Sequence, residues 1–195
     1  MGGTDLDARL ATRLRVLRAE RGLSLDALAA RTGVSRSMIS VVERGESSPT
    51  ASLLDRLAAG LGVTLAALFA EGEQDGATPV SRRADQAVWR DPETGYERRN
   101  LSPSGYPSAL DLVEVVLPPG ARVAYDTGPR AAPFDQQVWI LDGTVDLTEG
   151  GTSHRLEEGD CLAMRLDGPT AFRNPGDRPA RYLVALAAGA ARSRP

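Results

Sequence analysis

Residues 33–45 read GVSRSMISVVERG and gather hydrogen-bonding groups on a short segment of helical pattern. Gly33 makes a turn, Ser35 is placed to cap a helix, and Arg36, Ser37, Ser40 and Val41 share its outward face. Met38, Ile39 and Val42 are expected to seat that helix on a core. An arginine fork matches the O6 and N7 acceptors of guanine, at about 1–3 kcal/mol of base discrimination per bidentate pair. Serine hydroxyls serve bases or phosphates, and a valine suits a thymine methyl. Two other residue types bear on chemistry, and each occurs once. His154 lies in the turn-rich stretch EGGTSHRLEEG and is expected at the surface. Cys161 is expected to be a buried small hydrophobe, because a redox role requires an exposed thiolate of low pKa. A lone cysteine also excludes an internal disulfide and fits a reducing compartment.

The elements around this segment follow from apolar spacing. Leu6, Leu10, Leu14 and Leu17 recur at helical intervals, and Gly22 ends that helix. Ser24 caps LDALAART, whose apolar face is Leu25, Leu28 and Ala29. The helix opened by Ser35 runs to about Arg44, with Gly45 as its stop. Thr50 caps LLDRLAAGLG, and Thr64 opens LAALF, which closes near Phe69. Two short helices joined by a tight glycine turn form a helix-turn-helix unit, whose second helix can enter the major groove. Ser24, at the start of the first of the two, presents its hydroxyl and free backbone N–H groups to phosphate.

Net charge supports this division once it is split along the chain. The whole carries −3, but residues 1–72 hold nine arginines against eight acids, and the remainder fourteen against eighteen. A few well-placed arginines suffice at phosphates even where the net charge is small. No stretch approaches 18 consecutive apolar residues, so no membrane span or signal segment is expected, and the cytoplasm is the expected compartment.

After residue 110 the pattern changes to short β-type runs, LDLVEVVL, QVWILDGTVDLTE, DCLAMRL and ARYLVALA, separated by PPG, DG, EGG, EEGD and NPGD turns. That rhythm predicts a small antiparallel barrel or sandwich. The expected organisation is multidomain α plus β: a five-helix helix-turn-helix domain over 1–70, a linker over 71–78 and a barrel over 110–189, with a tail over 190–195. Residues 79–109 stay open between extra strands of the barrel and a segment joining protomers.

The stretch from RLRVLRAERGLS to LGVTLAALF, with RGLS, LA, TGVS, ERGE, SPT and LGV in order, resembles the five-helix Xre family domain of phage-repressor type. The resemblance implies a DNA-binding protein in which Ser24, Ser35, Arg36, Ser37, Ser40 and Val41 meet the duplex. It also implies an ion pair between Arg18 and Glu43 that orients the recognition helix. Double-stranded DNA with an inverted-repeat operator is the expected partner, read by a homodimer whose half-sites lie about one helical turn apart.

PPGARVAYDTGPRAAPFDQQVWILDGTVDLT and EEGDCLAMRLDGPTAFRNPGD resemble the two motifs of a cupin. Metal-dependent cupins place two histidines and a glutamate in the first motif and a histidine in the second. In this chain those positions fall on Asp126, Gly128, Gln136 and Thr170, so all three histidines are missing. No metal and no cofactor are therefore expected. A pocket of Asp126, Gln136, Val138, Met164, Thr170 and Phe172 is expected to bind a small organic effector, with Trp139 pointing away from it. The competing readings are a barrel that only dimerises, a metal-dependent cupin enzyme fused to a DNA-binding domain, and an antitoxin-like module.

Overall fold

The computed structural model of the protein describes residues 3–69, 77–125 and 134–188. The 71–76 part of the expected linker, Asp126, Gly128 and the tail lie outside the described residues. Five helices come first: α1 (Gly3–Glu20), α2 (Leu25–Thr32), α3 (Arg36–Glu43), α4 (Ala51–Leu61) and α5 (Leu65–Phe69). Leu6, Leu10, Leu14 and Leu17 form the buried stripe of α1. That helix closes where Leu23 N–H donates to the Arg18 carbonyl around Gly22, whose φ is +62°. Each short helix starts on a hydroxyl cap. Ser24 Oγ accepts from Ala27 N–H at 3.0 Å, Ser35 Oγ from Met38 N–H at 3.2 Å and Thr50 Oγ1 from Leu53 N–H at 3.3 Å.

Two glycines let the helices approach. Gly33 ends α2 at φ +65°, and a Cβ there would stand 2.8 Å from Nη2 of Arg56. At Gly60 of α4 a Cβ would overlap Cγ2 of Thr32, so α2 and α4 meet closely only over hydrogen.

Ten strands follow: β1 (Val88–Arg90), β2 (Glu97–Asn100), β3 (Leu110–Leu117), β4 (Arg122–Tyr125), β5 (Phe134–Asp142), β6 (Thr144–Glu149), β7 (Thr152–Glu157), β8 (Cys161–Arg165), β9 (Thr170–Arg173) and β10 (Ala180–Ala188). They pair antiparallel in two sheets, ordered β1-β2-β3-β10-β5-β8 and β4-β9-β6-β7. The sheets face each other as a cupin-like barrel, and the Phe172 ring of one stacks on the Tyr182 ring of the other at 5.5 Å. Strict alternation on β5 sends Phe134, Gln136, Val138 and Ile140 inward and Gln137 and Trp139 outward. The NPGD turn is closed by Asn174. Its Nδ2 donates to the Leu117 and Arg178 carbonyls, and its Oδ1 accepts from Gly176 N–H.

Residues 79–109 supply β1 and β2, which extend the larger sheet beyond β3. They also bind the helical head to the barrel. Asp91 Oδ1 accepts from Ala51 N–H at 2.9 Å, capping α4 from the β1–β2 turn, while Oδ2 accepts from Thr94 N–H. Thr64 Oγ1 donates to Asp111 Oδ2 at 3.2 Å. The Phe69 ring lies 5.5 Å from Trp89, which meets Tyr96 edge-on at 6.2 Å. Head and barrel therefore share one apolar core.

Three sequence expectations are corrected here. Met38 is 41% exposed, because Ile39, Val42 and Glu43 fill the inward stripe of α3 and leave its first turn outside the core. Cys161 is exposed, since it shares the outward phase of β8 with Ala163 and Arg165 while Met164 points in. His154 lies on β7 of the β6–β7 hairpin, opposite Leu147, and is half-buried rather than fully at the surface.

Candidate duplex interface and barrel cavity

Helix α3 carries an outward face built on its cap. Ser35 Oγ is committed to Met38 N–H and lies 3.1 Å from Ser37 Oγ. Arg36 projects with its side chain 66% exposed, its Nε 3.5 Å from Asp26 Oδ1 of α2. Such an exposed contact is weak and leaves the guanidinium free to exchange its partner for a base edge or a phosphate. Ser24, Ser35 and Ser37 are exposed, whereas Ser40 and Val41 are half-buried. Ser40 is engaged by Arg44, which donates Nη1 to its hydroxyl and holds Glu46 through Nε at 2.6 Å. Arg44 and the exposed Met38 thus belong to this face although the sequence reading did not include them. The four-residue step from Ser40 to Arg44 was the available signal.

Behind the face, one ion pair joins α1 to α3. Arg18 donates Nε to Glu43 Oε1 and Nη2 to Glu43 Oε2, each at 2.7 Å, and Nη1 to the Leu23 carbonyl at 2.9 Å. The bidentate hydrogen bond raises the pKa of Arg18 further above its ordinary value. The pair ties the end of α1 to the last turn of α3, with Glu43 side chain only 7% exposed. It is a positioning contact behind the face rather than part of it.

The second site is a cavity of about 50 Å³ at the junction of barrel and head. Gln136, Thr170 and Phe172 are on its wall, along with Tyr96, Arg98, Tyr125 and Tyr182 from other strands and from the barrel's inner face. Asp55 of α4 and Leu65 of α5 reach it from the helical side. Val138 and Met164 are buried but are not on this wall; Val138 packs at 0% exposure further along β5. Met164 instead accepts a hydrogen bond from Gln136 Nε2, Sδ at 3.6 Å. Tyr96 and Arg98 were missed because their segment carried no clear strand pattern, although both fall on one phase of GYERRN.

The polar groups of the cavity are linked. Arg98 Nη1 and Tyr125 Oη both donate to Tyr96 Oη, each at 3.4 Å. Burial pushes the phenols of Tyr125 and Tyr182 well above their ordinary pKa, so both stay protonated. Asp111 beneath is raised by burial, against a hydrogen bond from Thr64 and the charge of Arg98.

The metal-ligand positions of the fold place an amide, Gln136, and a hydroxyl, Thr170, at this cavity. Neither is a donor of the kind that holds a transition metal firmly. Among the described residues no group of three or more His, Cys, Asp or Glu could hold a metal ion. The described residues do not fit the family's metal.

Comparison with known proteins agrees with both halves. A helix-turn-helix family (HTH_3) matches residues 14–68, and a cupin domain family (Cupin_2) matches residues 113–186. The HTH-type transcriptional regulator SutR of Escherichia coli K12 is 28% identical over 89% of this chain and 91% of its own length. The HTH-type transcriptional regulator PuuR of the same organism is 28% identical over 83% of this chain and 85% of its own. A crystal structure of an HTH_3 family transcriptional regulator from Vibrio cholerae superposes with a TM-score of 0.76 at 27% identity, covering 96% of this chain and 99% of that one. Among the described residues no helix is long and apolar enough to cross a membrane.

Proposed function

The chain is an Xre-type helix-turn-helix transcriptional regulator with a cupin domain, and we propose that it acts as a dimer on an inverted-repeat operator under control of a small organic effector. The observation that carries the DNA half is α3, which exposes Arg36, Ser37 and Met38 while Ile39 and Val42 seat it at 1–2% exposure. A helix held so firmly on one side and so open on the other suits insertion into a major groove. Arg36 is the proposed base reader, Ser24, Ser35 and Ser37 the proposed phosphate or base contacts, with Ser40 and Val41 at the rear of the face. The Arg18–Glu43 pair is the proposed brace of that helix.

Control of the operator needs an effector that favours one arrangement of the two heads. Support for such coupling is that Asp55 and Leu65 of the head share the cavity with the barrel. An occupant there touches α4 and α5, which pack on α2 and α1, the two helices that α3 packs against. Pairing is supported by the outer face of the larger sheet, where Trp139, 47% exposed, stands with Leu183 and Ala185. A second copy of the chain is the proposed occupant of that face, since a two-fold operator requires a two-fold protein. The proposal assigns the cavity to a metal-free sensor rather than to an enzyme.

The test is fluorescence anisotropy of the full chain on genomic duplexes at two salt concentrations, together with light scattering. A preferred duplex, tighter binding at low salt and a dimer that Trp139→Asp turns into a monomer are expected. Equal binding to all duplexes would refute the reading of α3, and a Trp139→Asp dimer would refute the proposed pairing face.

A further inference from the structure

We propose that the cavity recognises a small carboxylate, gripped by the open edge of Arg98; the inference rests on the effector reading above. Arg98 is 5% exposed, on β2, and its Nε and Nη2 have no hydrogen-bond partner among the described residues. Only Nη1 is engaged, by Tyr96 Oη. Leaving two donors of a buried cation unpaired is costly, so a partner beyond the described residues is called for.

The molecule shows what this edge of a guanidinium takes. On Arg18 the same two nitrogens, Nε and Nη2, hold the two oxygens of Glu43 at 2.7 Å each. A planar carboxylate matches that fork with two parallel bonds. The acids near Arg98 do not serve it. Asp111 Oδ2 accepts from Thr64, and no oxygen of Asp111 or Asp55 bonds Nε or Nη2.

Apart from the carboxylate of Asp55, the rest of the wall agrees with an anion of modest size. Tyr96, Tyr182, Thr170 and Gln136 offer hydroxyl or amide donors, while the Tyr125 hydroxyl is already donated to Tyr96. With its phenol held protonated by burial, Tyr182 can donate to a ligand oxygen. Phe172 and the neighbouring aliphatic residues leave room for a short apolar body. The volume of about 50 Å³ is about a third of a cavity that admits benzene, so the ligand is a carboxylate of few carbons.

The test is calorimetry and thermal shift on the full chain with two- and three-carbon carboxylates, α-amino acids of that size, their neutral amides, and inorganic phosphate and sulfate. Carboxylates are expected to bind and their amides not. Arg98→Met is expected to weaken binding roughly 10- to 100-fold, the weight of a charge-assisted bidentate contact. Arg98→Lys, which keeps the charge without the fork, is expected to fall between and guards against a Met variant that fails to fold. Plain carboxylates binding as well as amino acids would show that the carboxylate alone is read, and preference for amino acids would add an ammonium contact; either supports the proposal. Equal binding of amides, or of phosphate and sulfate, overturns it while leaving an effector cavity. Absence of any bound small molecule overturns the effector reading as well.

Discussion

Arg18 of the helical head and Arg98 of the barrel are both drawn inward, and they are treated in opposite ways. In the head, Arg18 spends Nε and Nη2 on Glu43 and Nη1 on the Leu23 carbonyl. In the barrel, Arg98 is more deeply buried, and among the described residues its Nε and Nη2 have no hydrogen-bond partner. The head's arginine is closed, with its donors spent on α3 and on the Leu23 carbonyl. The barrel's arginine is open, and an unspent buried charge is a cost to the unliganded protein that a ligand removes. The contrast teaches that burial alone does not separate a structural charge from a functional one; the state of its donors does.

The contrast can be sharpened by breaking closed charges in order of weight. Arg18→Ala leaves Glu43 buried without its partner and is expected to cost about 3 kcal/mol, near the low end for a broken buried pair, in denaturant unfolding of the full chain. A loss below about 1 kcal/mol would mean that the pair does not brace α3. Asp91→Ala removes the acceptor shared by Ala51 N–H and Thr94 N–H and is expected to cost about 2 kcal/mol. Because that acceptor joins head to barrel, hydrogen exchange at the start of α4 should quicken in the same variant. Thr50→Ala removes only the hydroxyl cap of α4 and is expected to cost about 1 kcal/mol by chemical unfolding. Arg44→Ala breaks a pair whose side chains are 51% and 55% exposed, and no change in melting temperature is expected. A series in which Arg44→Ala costs as much as Arg18→Ala would dissolve the distinction between closed interior charges and surface ones.

The head was legible in the sequence because local rules act there in agreement. Leucine spacing gave α1, and Ser24, Ser35 and Thr50 marked three helix starts that the structure caps with those same hydroxyls. The barrel strands after residue 110 were legible for the same reason, with β5 alternating inward and outward as its pattern requires. Residues 79–109 were not, because β1 is three residues long and β2 reads ERRN, with an arginine on the inward phase. A charged residue at a buried strand position defeats a hydrophobic pattern, and here that residue is the centre of the cavity. Alternation alone also placed Val138 on the cavity wall, since it fixes the face of a residue but not its height along the strand. Met38 was assigned inward because an apolar side chain in a helix pattern suggests a core. An eight-residue helix has too few inward positions to bury every apolar residue it carries.

The most direct test of the account is a selection from a random duplex library with the full chain and its Arg36→Ala variant. The account predicts an enriched inverted repeat whose half-sites each carry a preferred base pair that becomes indifferent in the variant, a loss of about 1–3 kcal/mol at that position alone. Enrichment of the same sequence with undiminished preference in Arg36→Ala, or no enriched sequence for the parent chain, would contradict it.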